Sequence, residues 1–260
     1  MKPLALTTLS LSLLTLAGCG PQAAPLDTLR ARATAGDVTL ELHTDAPLHV
    51  GQNVARYRLW HDGVSAPHGL VTQRPVMSML AMGKSHSCPV QQPDHEPDAD
   101  GFFTGLIIFN MPSGDEALWN LSVDVELSHD GEVVTVDLGE VAVEDSPLRQ
   151  FVTRDGKKVL LTAGLLAPAK LGANTLIVTA HSATDATQLA WSPVTDFAFT
   201  VTPEMPAMGH GSSHNQAPVL GDDQLYRGTV NFSMAGDWVV HLGLTAGDAS
   251  FGTFDFPFSF

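Results

Sequence analysis

The sequence is poor in cysteine and in basic residues. It has two cysteines, and Cys19 ends a secretory-type leader, so Cys88 is the remaining thiol and no intrachain disulfide framework is possible. Lys and Arg number 13 against 28 Asp and Glu, and the net charge of -15 becomes -16 when Lys2 leaves with the leader. A chain this acidic is repelled by phosphate backbones, so we expect no nucleic-acid partner.

Catalytic motifs are also missing. The sequence contains no nucleophile elbow, no Gly-rich phosphate loop and no zinc-protease helix. Its Ser, His and Asp residues show no spacing that singles out a triad. We therefore predict a protein that is not an enzyme.

Residues 1–19 have the layout of an export signal. Lys2 supplies the positive start, and the apolar core that follows is too short to span a bilayer. The ending Leu16-Ala-Gly-Cys19 resembles a bacterial lipobox, which implies that Cys19 is lipidated and anchors the chain to a membrane. Gly20 follows, where an aspartate would suggest inner-membrane retention. In a Gram-negative cell we therefore expect the outer membrane, facing the periplasm.

The remaining chain is patterned as short β-strands. Apolar and polar residues alternate in runs that begin at Trp119 and Trp238, and phenylalanine occupies every second position from Phe254 to Phe260. Long amphipathic helices are not evident. The pattern predicts an all-β protein made of antiparallel β-sandwiches. We divide the chain into a leader at 1–19, a tether at 20–36, and two tandem domains at 37–145 and 146–260.

Methionine is confined to two clusters. Apart from the initiator, the methionines are Met77, Met79, Met82 and Met111, then Met205, Met208 and Met234. Methionine also serves as core filler, but filler is needed throughout a core, so clustering suggests a local role. Thioethers are soft ligands that favour Cu(I), and they suit an oxidising compartment because they form no disulfides.

The two clusters belong to an internal repeat. A shift of 126 residues superposes Met79-Leu-Ala-Met82-Gly83 on Met205-Pro-Ala-Met208-Gly209. A shift of 123 then matches Gly105, Phe109 and Met111 to Gly228, Phe232 and Met234. Each half thus reads Gly-x-Asn, two strands, Met-x-x-Met-Gly, a loop, Gly-x-x-x-Phe-x-Met and a Trp strand.

This ordered set resembles the YtkA-like family, which is related to the FixH group of exported, copper-associated domains. The second half carries the closer match, in Leu171-Gly-Ala-Asn174, in residues 202–211, in Tyr226-Arg-Gly228 and in residues 232–238. The resemblance implies a small immunoglobulin-like sandwich outside the cytoplasm, tied to copper handling or to cytochrome oxidase assembly.

In the second copy the candidate metal ligands are Met205, Met208, His210, His214 and Met234. We expect the loop of residues 205–214 and the end of the Phe232 strand, near Ala235-Gly236, to meet at the mouth of the sandwich. Two thioethers with an imidazole suit Cu(I), whereas Zn²⁺ usually recruits thiolates, several histidines or a carboxylate.

In the first copy the candidate metal ligands are Met79, Met82, His86, Cys88 and Met111. Lys84 stands where His210 stands in the second copy. This copy therefore either binds metal with a different ligand set or has lost binding. Three interpretations of Cys88 stay open: buried and inert, paired with another chain, or a ligand.

These features predict an envelope-anchored lipoprotein that binds Cu(I) and stores it, buffers it or exchanges it with a copper-donating or copper-accepting envelope protein. The alternative is an interaction module of the cell envelope that docks a partner through its Met-rich loops and needs no metal. The histidines beside the thioethers favour the first function, because a docking surface has no need of His210 and His214.

Overall fold

A computed structural model describes residues 28–66, 68–127 and 131–260. The predicted leader, the lipidation site at Cys19 and the first part of the predicted tether lie outside the described residues. Within the described ranges, no helix is long and apolar enough to cross a membrane. The chain there forms β-strands, with a single 3-10 turn at Leu80–Met82.

The first sandwich has ten strands. They are β1 (Thr28–Ala35), β2 (Val38–Thr44), β3 (Gly51–His61), β4 (Val64–Ser65), β5 (Leu70–Met79), β6 (Lys84–Ser87), β7 (Val90–Gln91), β8 (Phe103–Phe109), β9 (Ala117–Glu126) and β10 (Val133–Val141). The larger sheet has the order β1-β2-β3-β8-β7, with β4 paired to β3, and the smaller sheet has the order β10-β9-β5-β6. All these pairings are antiparallel.

The second sandwich repeats this topology. Its strands are β11 (Arg149–Arg154), β12 (Lys157–Leu165), β13 (Gly172–Ala183), β14 (Trp191–Pro193), β15 (Ala198–Met205), β16 (His210–Gly211), β17 (Gln216–Leu220), β18 (Tyr226–Phe232), β19 (Asp237–Ala246) and β20 (Ala249–Ser259). The sheets have the orders β11-β12-β13-β18-β17, with β14 on β13, and β16-β15-β19-β20. Each strand thus has the same neighbours as the strand ten numbers earlier. The predicted class, two tandem immunoglobulin-like antiparallel β-sandwiches, is confirmed.

The alternating runs face the two cores as predicted. The inward positions of β9 and β19 are fully buried, namely Trp119, Leu121, Val123 and Val125 in the first sandwich and Trp238, Val240 and Leu242 in the second. The phenylalanines of β20 join the second core, where Phe256 is fully buried. Because burying one such side chain contributes about 1.5–3 kcal/mol, a slip by one residue that exposed the whole set is strongly disfavoured.

The repeated Gly-x-Asn motif opens the third strand of each sandwich. The Asn53 side chain binds the amide and the carbonyl of His49 at 2.9 and 2.7 Å, and Asn174 binds those of Lys170 at 3.0 and 2.8 Å. Each asparagine also donates to the carbonyl of the glycine two positions before it. That glycine has a φ of +104° in the first sandwich and +86° in the second, which explains the residue type.

The tether is shorter than predicted, because residues 28–35 form β1 and pair with β2. Ala31, Ala33 and Ala35 pack against the first core, while Arg30 and Arg32 alternate with them. Alanine is depleted in strands, so a run of this kind carries a weak strand signal and reads as a linker.

The two sandwiches pack on each other through the outer faces of their larger sheets. Leu106 of β8 belongs to one apolar cluster with Leu160 of β12 and Ile177 of β13. The side-chain amide of Gln52 on β3 crosses between the sandwiches and donates to Thr162 Oγ1 at 3.0 Å. The two domains are therefore joined by side-chain contacts as well as by the connecting chain.

Candidate metal centre

A histidine, a methionine and a tryptophan form a row across three strands of the second sandwich. Met205 ends β15, and His210 stands opposite it on β16. The register that pairs Glu204 with Val239 continues to set Met205 opposite Trp238 on β19. Side chains directly opposite one another share a face of an antiparallel sheet. Here that face is the core, where Met205 is 4% exposed and Trp238 is fully buried.

The imidazole of His210 lies at the rim of this core. Its ring centroid is 6.0 Å from that of Trp238, in an edge-to-face arrangement. Because β15 runs between their strands, the two rings meet across Met205. His210 Nδ1 lies 3.0 Å from the Gly211 carbonyl oxygen. A carbonyl only accepts, so Nδ1 donates its proton here, and the tautomer that fits this contact has its lone pair on Nε2, where a metal can bind.

The turn after β18 brings another thioether to the same end of the sandwich. Met234 is 37% exposed, and its carbonyl accepts the Trp238 indole N–H at 3.0 Å. Gly236 lies in the same turn, and a Cβ there would be only 3.2 Å from the Met205 methyl carbon. The structure thus has Met205, His210 and Met234 at one end. The strand itself ends at Phe232, so Met234 lies in the turn and not on the strand as predicted.

The two other candidates of the second copy lie further out. Met208 is at the tip of the β15–β16 hairpin, 61% exposed, where its amide donates to the Met205 carbonyl at 3.1 Å. The next residue, Gly209, has a φ of +63°, which lets the hairpin turn back tightly. His214 is exposed in the connection to β17 with a φ of +65°. The structure gives neither side chain a contact with the row.

The first sandwich contains an equivalent row. Met77 of β5 stands opposite His86 of β6 on one side and Trp119 of β9 on the other. The rings of His86 and Trp119 lie edge to face with centroids 5.4 Å apart. His86 Nδ1 is 3.0 Å from the Ser87 carbonyl oxygen, and the Trp119 indole N–H donates to the Met111 carbonyl at 2.9 Å. Each contact has its counterpart in the second sandwich.

The two hairpins differ in length, and this difference changes which residue of the first sandwich corresponds to His210. Lys84 pairs with Met79 as His210 pairs with Met205, so the hairpin tips align as expected. The first hairpin is two residues longer on each strand, however. As a result His86, and not Lys84, makes the contact with tryptophan that His210 makes.

Methionines on the longer hairpin are spread from the core to the solvent. Met77 is fully buried, Met79 is half-buried against the core, and Met82 is 55% exposed at the tip. Met111 is half-buried beside the first core, where Met234 stands in the second sandwich. Sequence reasoning missed Met77, because its partner across the hairpin depends on strand length. Its alternation with Met79 on one strand was the available signal.

Cys88 lies in the first core and is 2% exposed. Burial raises the pKa of the Cys88 thiol well above its usual range. Metal binding requires the thiolate, which this environment disfavours. Of the three interpretations of Cys88, the buried and inert thiol agrees best with its surroundings.

A separate group of carboxylate and imidazole side chains lies on the surface of the first sandwich. Among the residues that the structure describes, one group of three His, Cys, Asp or Glu residues has its ligand atoms within 4.8 Å of one another: Asp37, His61 and Asp62, all exposed. His61 Nε2 is already 2.9 Å from Asp37 Oδ2. This group offers carboxylate oxygens and one imidazole at the surface, whereas the Met-His rows offer thioether sulfur and imidazole beside the core.

His241 lies on the outer face of β19, away from the row. Its Nδ1 is 2.6 Å from Asp255 Oδ1, and its Nε2 is 3.2 Å from Glu204 Oε2. The hydrogen bond to Asp255, aided by Glu204, raises the pKa of His241 above its usual value. Both ring nitrogens are occupied, so His241 is not a candidate ligand.

No curated protein matches this chain. Among solved structures, a DUF4785 family protein from Legionella pneumophila aligns over 86% of this chain at 14% identity and a TM-score of 0.29, and this chain spans 56% of its length. Domains 5-6 of the S-layer protein SbsC align over 89% of this chain and 97% of their own length, at 11% identity and a TM-score of 0.32.

A conserved domain protein from Bacillus anthracis aligns over 86% of this chain and 80% of its own length, at 10% identity and a TM-score of 0.36. These scores are too low to carry an argument about function. The YtkA-like family model matches residues 162–243, a segment of the second sandwich that contains Met205, His210, Met234 and Trp238.

Proposed function

We propose that this protein is an envelope-anchored lipoprotein that binds Cu(I) and stores, buffers or transfers it. The observation that carries the proposal is the row of His210, Met205 and Trp238 at one end of the second sandwich, with Met234 in the turn whose carbonyl accepts the Trp238 indole N–H. Thioether sulfur and neutral imidazole are the donor types that soft, monovalent copper prefers.

The electrostatics of the row support a monovalent cargo. Thioethers carry no charge, and an imidazole binds a metal through the lone pair of its neutral form, so the bound donor set would contribute no negative charge. A divalent ion would be poorly compensated so near the core, because desolvating a higher charge costs more. The indole of Trp238 adds the attraction that an aromatic face offers a nearby cation.

Transfer would proceed by ligand exchange at the open end of the site. Met234 is 37% exposed and His210 is half-buried, so an incoming ligand can displace them without opening the core around Met205. Met208, which is exposed at the hairpin tip, would pass copper between a partner and the row. The protein makes and breaks no covalent bond of a substrate in this scheme.

The cellular setting is part of the proposal. Lipidation of Cys19 would hold the chain at a membrane outside the cytoplasm, in a Gram-negative cell at the outer membrane and facing the periplasm. The partner would be an envelope protein that donates copper or accepts it. The YtkA-like match of residues 162–243 supports this setting, since the resemblance implies an exported, copper-associated domain.

A docking module is the second candidate, and one observation favours it. Both hairpin tips expose large apolar side chains, with Leu80 and Met82 at 58% and 55% in the first sandwich and Met208 at 61% in the second. Exposed methionine adapts to varied partner surfaces. The buried Met205 and the half-buried His210 are not explained by docking.

A titration of the full chain in detergent with Cu(I), under a competing chelator, tests the proposal. The matched variant is Met205→Leu with His210→Gln, which preserves side-chain volume and removes both donors. We expect at least one tight equivalent in the parent chain and one fewer in the variant. Absence of tight binding in the parent chain would favour the docking module.

A further inference from the structure

The geometry points to a second, enclosed Cu(I) site in the first sandwich, formed by Met77 and His86 beside Trp119, from which metal leaves more slowly than from the second sandwich. This inference rests on the proposed copper function. It goes beyond that function by using Met77 and by assigning the two sandwiches different exchange rates.

The strongest evidence is the imidazole of His86. The residue is 7% exposed, and its Nε2 is buried without a hydrogen-bond partner. Its Nδ1 lies 3.0 Å from the Ser87 carbonyl oxygen, which can only accept, so the tautomer that fits this contact has its lone pair on Nε2. A buried acceptor without a partner is costly, and such groups call for an explanation such as a bound ion.

Met77 supplies a soft donor on the neighbouring strand, directly opposite His86. It is fully buried and stands opposite both His86 and Trp119, whose rings meet across it. Thioether and neutral imidazole suit Cu(I) and require no loss of a proton. Trp119 is fixed by its hydrogen bond to the Met111 carbonyl, which keeps an aromatic ring beside the two donors.

The second sandwich closes the way into this site. Strand β6 carries His86 and is the edge of its sheet. Its last residue, Ser87, donates its amide to the Gln188 carbonyl at 2.9 Å and accepts the Trp191 indole N–H at 3.2 Å. Both partners belong to the second domain. Because His86 is buried on this strand, we expect metal exchange at Nε2 to require opening of β6, which these contacts oppose.

In the part of the chain that the structure describes, no hydrogen bond of this kind joins β16 of the second-domain site to the other sandwich. Strand β16 consists of His210 and Gly211 alone, His210 is half-buried, and Met234 is 37% exposed. Exchange there requires side-chain motion and no strand opening. The two sites therefore differ in accessibility while sharing donor types.

Extraction of copper from the loaded full chain by a chromogenic Cu(I) chelator tests the inference. We expect two phases in stopped flow, with the slow phase lost in Met77→Leu with His86→Gln and kept in the control Val133→Ala, an exposed position on β10 at the opposite edge of the sheet. If the double variant fails to fold by far-ultraviolet circular dichroism, Met77→Leu alone carries the test, because it conserves volume.

The outcomes separate this inference from the proposed function. Two bound equivalents with a slow phase that depends on Met77 and His86 support it. One equivalent, lost with Met205 and His210 and unaffected by the first-domain variants, overturns it while leaving the copper function in place. No bound copper in the parent chain overturns both.

A substitution at Trp191 tests whether the second domain closes the first-sandwich site. Trp191→Phe keeps an aromatic ring but removes the hydrogen bond to Ser87, so we expect the slow phase to accelerate roughly two- to tenfold. The control is Trp60→Phe, a half-buried tryptophan on β3. An unchanged slow phase in Trp191→Phe would contradict the role of the second domain in closing the site.

Discussion

His210 and Trp238 hold their rings edge to face, 6.0 Å apart, on either side of the strand that ends in Met205. The same relationship joins His86 and Trp119 across Met77, with centroids 5.4 Å apart. A histidine, a methionine and a tryptophan therefore recur at the same end of two sandwiches of one topology. The second-sandwich row carries the copper proposal, and its recurrence in the first sandwich carries the inference of a second site.

Replacing His210 should affect copper while replacing His241 should not. His210→Gln removes the imidazole that meets Trp238, so we expect weaker Cu(I) binding at the second site. His241→Gln is the matched control, because His241 lies on the outer face of the same sheet with both nitrogens occupied. Chelator competition measures both affinities. Equal loss in the two variants would indicate that the change acts through the fold.

Gly236→Ala should disturb the site through Met205. The added Cβ would be 3.2 Å from the Met205 methyl carbon, and the φ of +132° is unfavourable for alanine. We expect a loss of about 1–3 kcal/mol in the free energy of unfolding together with weaker copper binding. Urea denaturation and chelator competition measure the two effects.

Gly247→Ala is the control for that substitution. Gly247 also has a positive φ, +54°, but a Cβ there meets no atom within 4 Å. It should cost about 1–2 kcal/mol in stability and leave copper affinity unchanged. A copper affinity that falls in both variants would show that stability alone explains the effect.

We expect the buried histidine His181 to lower the free energy of unfolding at acid pH. Burial lowers the pKa of His181 from 6.5 to about 4. Because the folded pKa lies below the unfolded one, protons bind the unfolded chain more tightly, and stability falls as the pH drops from about 6.5 toward 4. The full loss amounts to about 3 kcal/mol.

The substitution His181→Leu isolates this contribution from that of the carboxylates. Denaturation at a series of pH values should show a shallower decline in the variant between pH 6.5 and 4. Parallel curves for the two chains would contradict the assigned pKa. The comparison depends on the difference between chains, so other groups that titrate in this range cancel.

The hairpin tips distinguish docking from metal binding. Met82→Leu and Met208→Leu keep apolar surface at two exposed positions, whereas Met82→Lys and Met208→Lys remove it. If the tips dock a partner, leucine should preserve partner binding and lysine should weaken it, as measured by co-purification from an envelope extract. If Met208 passes copper, leucine itself should slow copper transfer to a chelator.

Much of the fold follows from the sequence because alternation reports which face of a strand is buried. The runs at Trp119 and Trp238, and the Gly-x-Asn motif, each correspond to a defined structural element. Strand β1 was not predicted, because its inward residues are alanines, which bury little area and have low β-propensity. The contacts between the sandwiches were not predicted either, because alternation does not show which outer face another domain covers.

The site was partly foreseeable for the same reason. The repeat predicts both hairpin tips, and it predicts that the end of the Phe232 strand meets the loop of residues 205–214, although Met234 lies in the turn after that strand and not on it. The sequence did not match Met77 and His86 to Met205 and His210. Each strand of the first hairpin is two residues longer than in the second, so the equivalent residues lie at different distances from the hairpin tip. Strand length is set by packing in three dimensions and leaves little trace in spacing.

X-ray absorption at the copper edge of the Cu(I)-loaded chain identifies the atoms that bind the metal. We expect both sulfur and imidazole nitrogen around copper, with the sulfur contribution reduced in Met205→Leu. Coordination by nitrogen and oxygen alone, unchanged in that variant, would contradict a thioether and imidazole site.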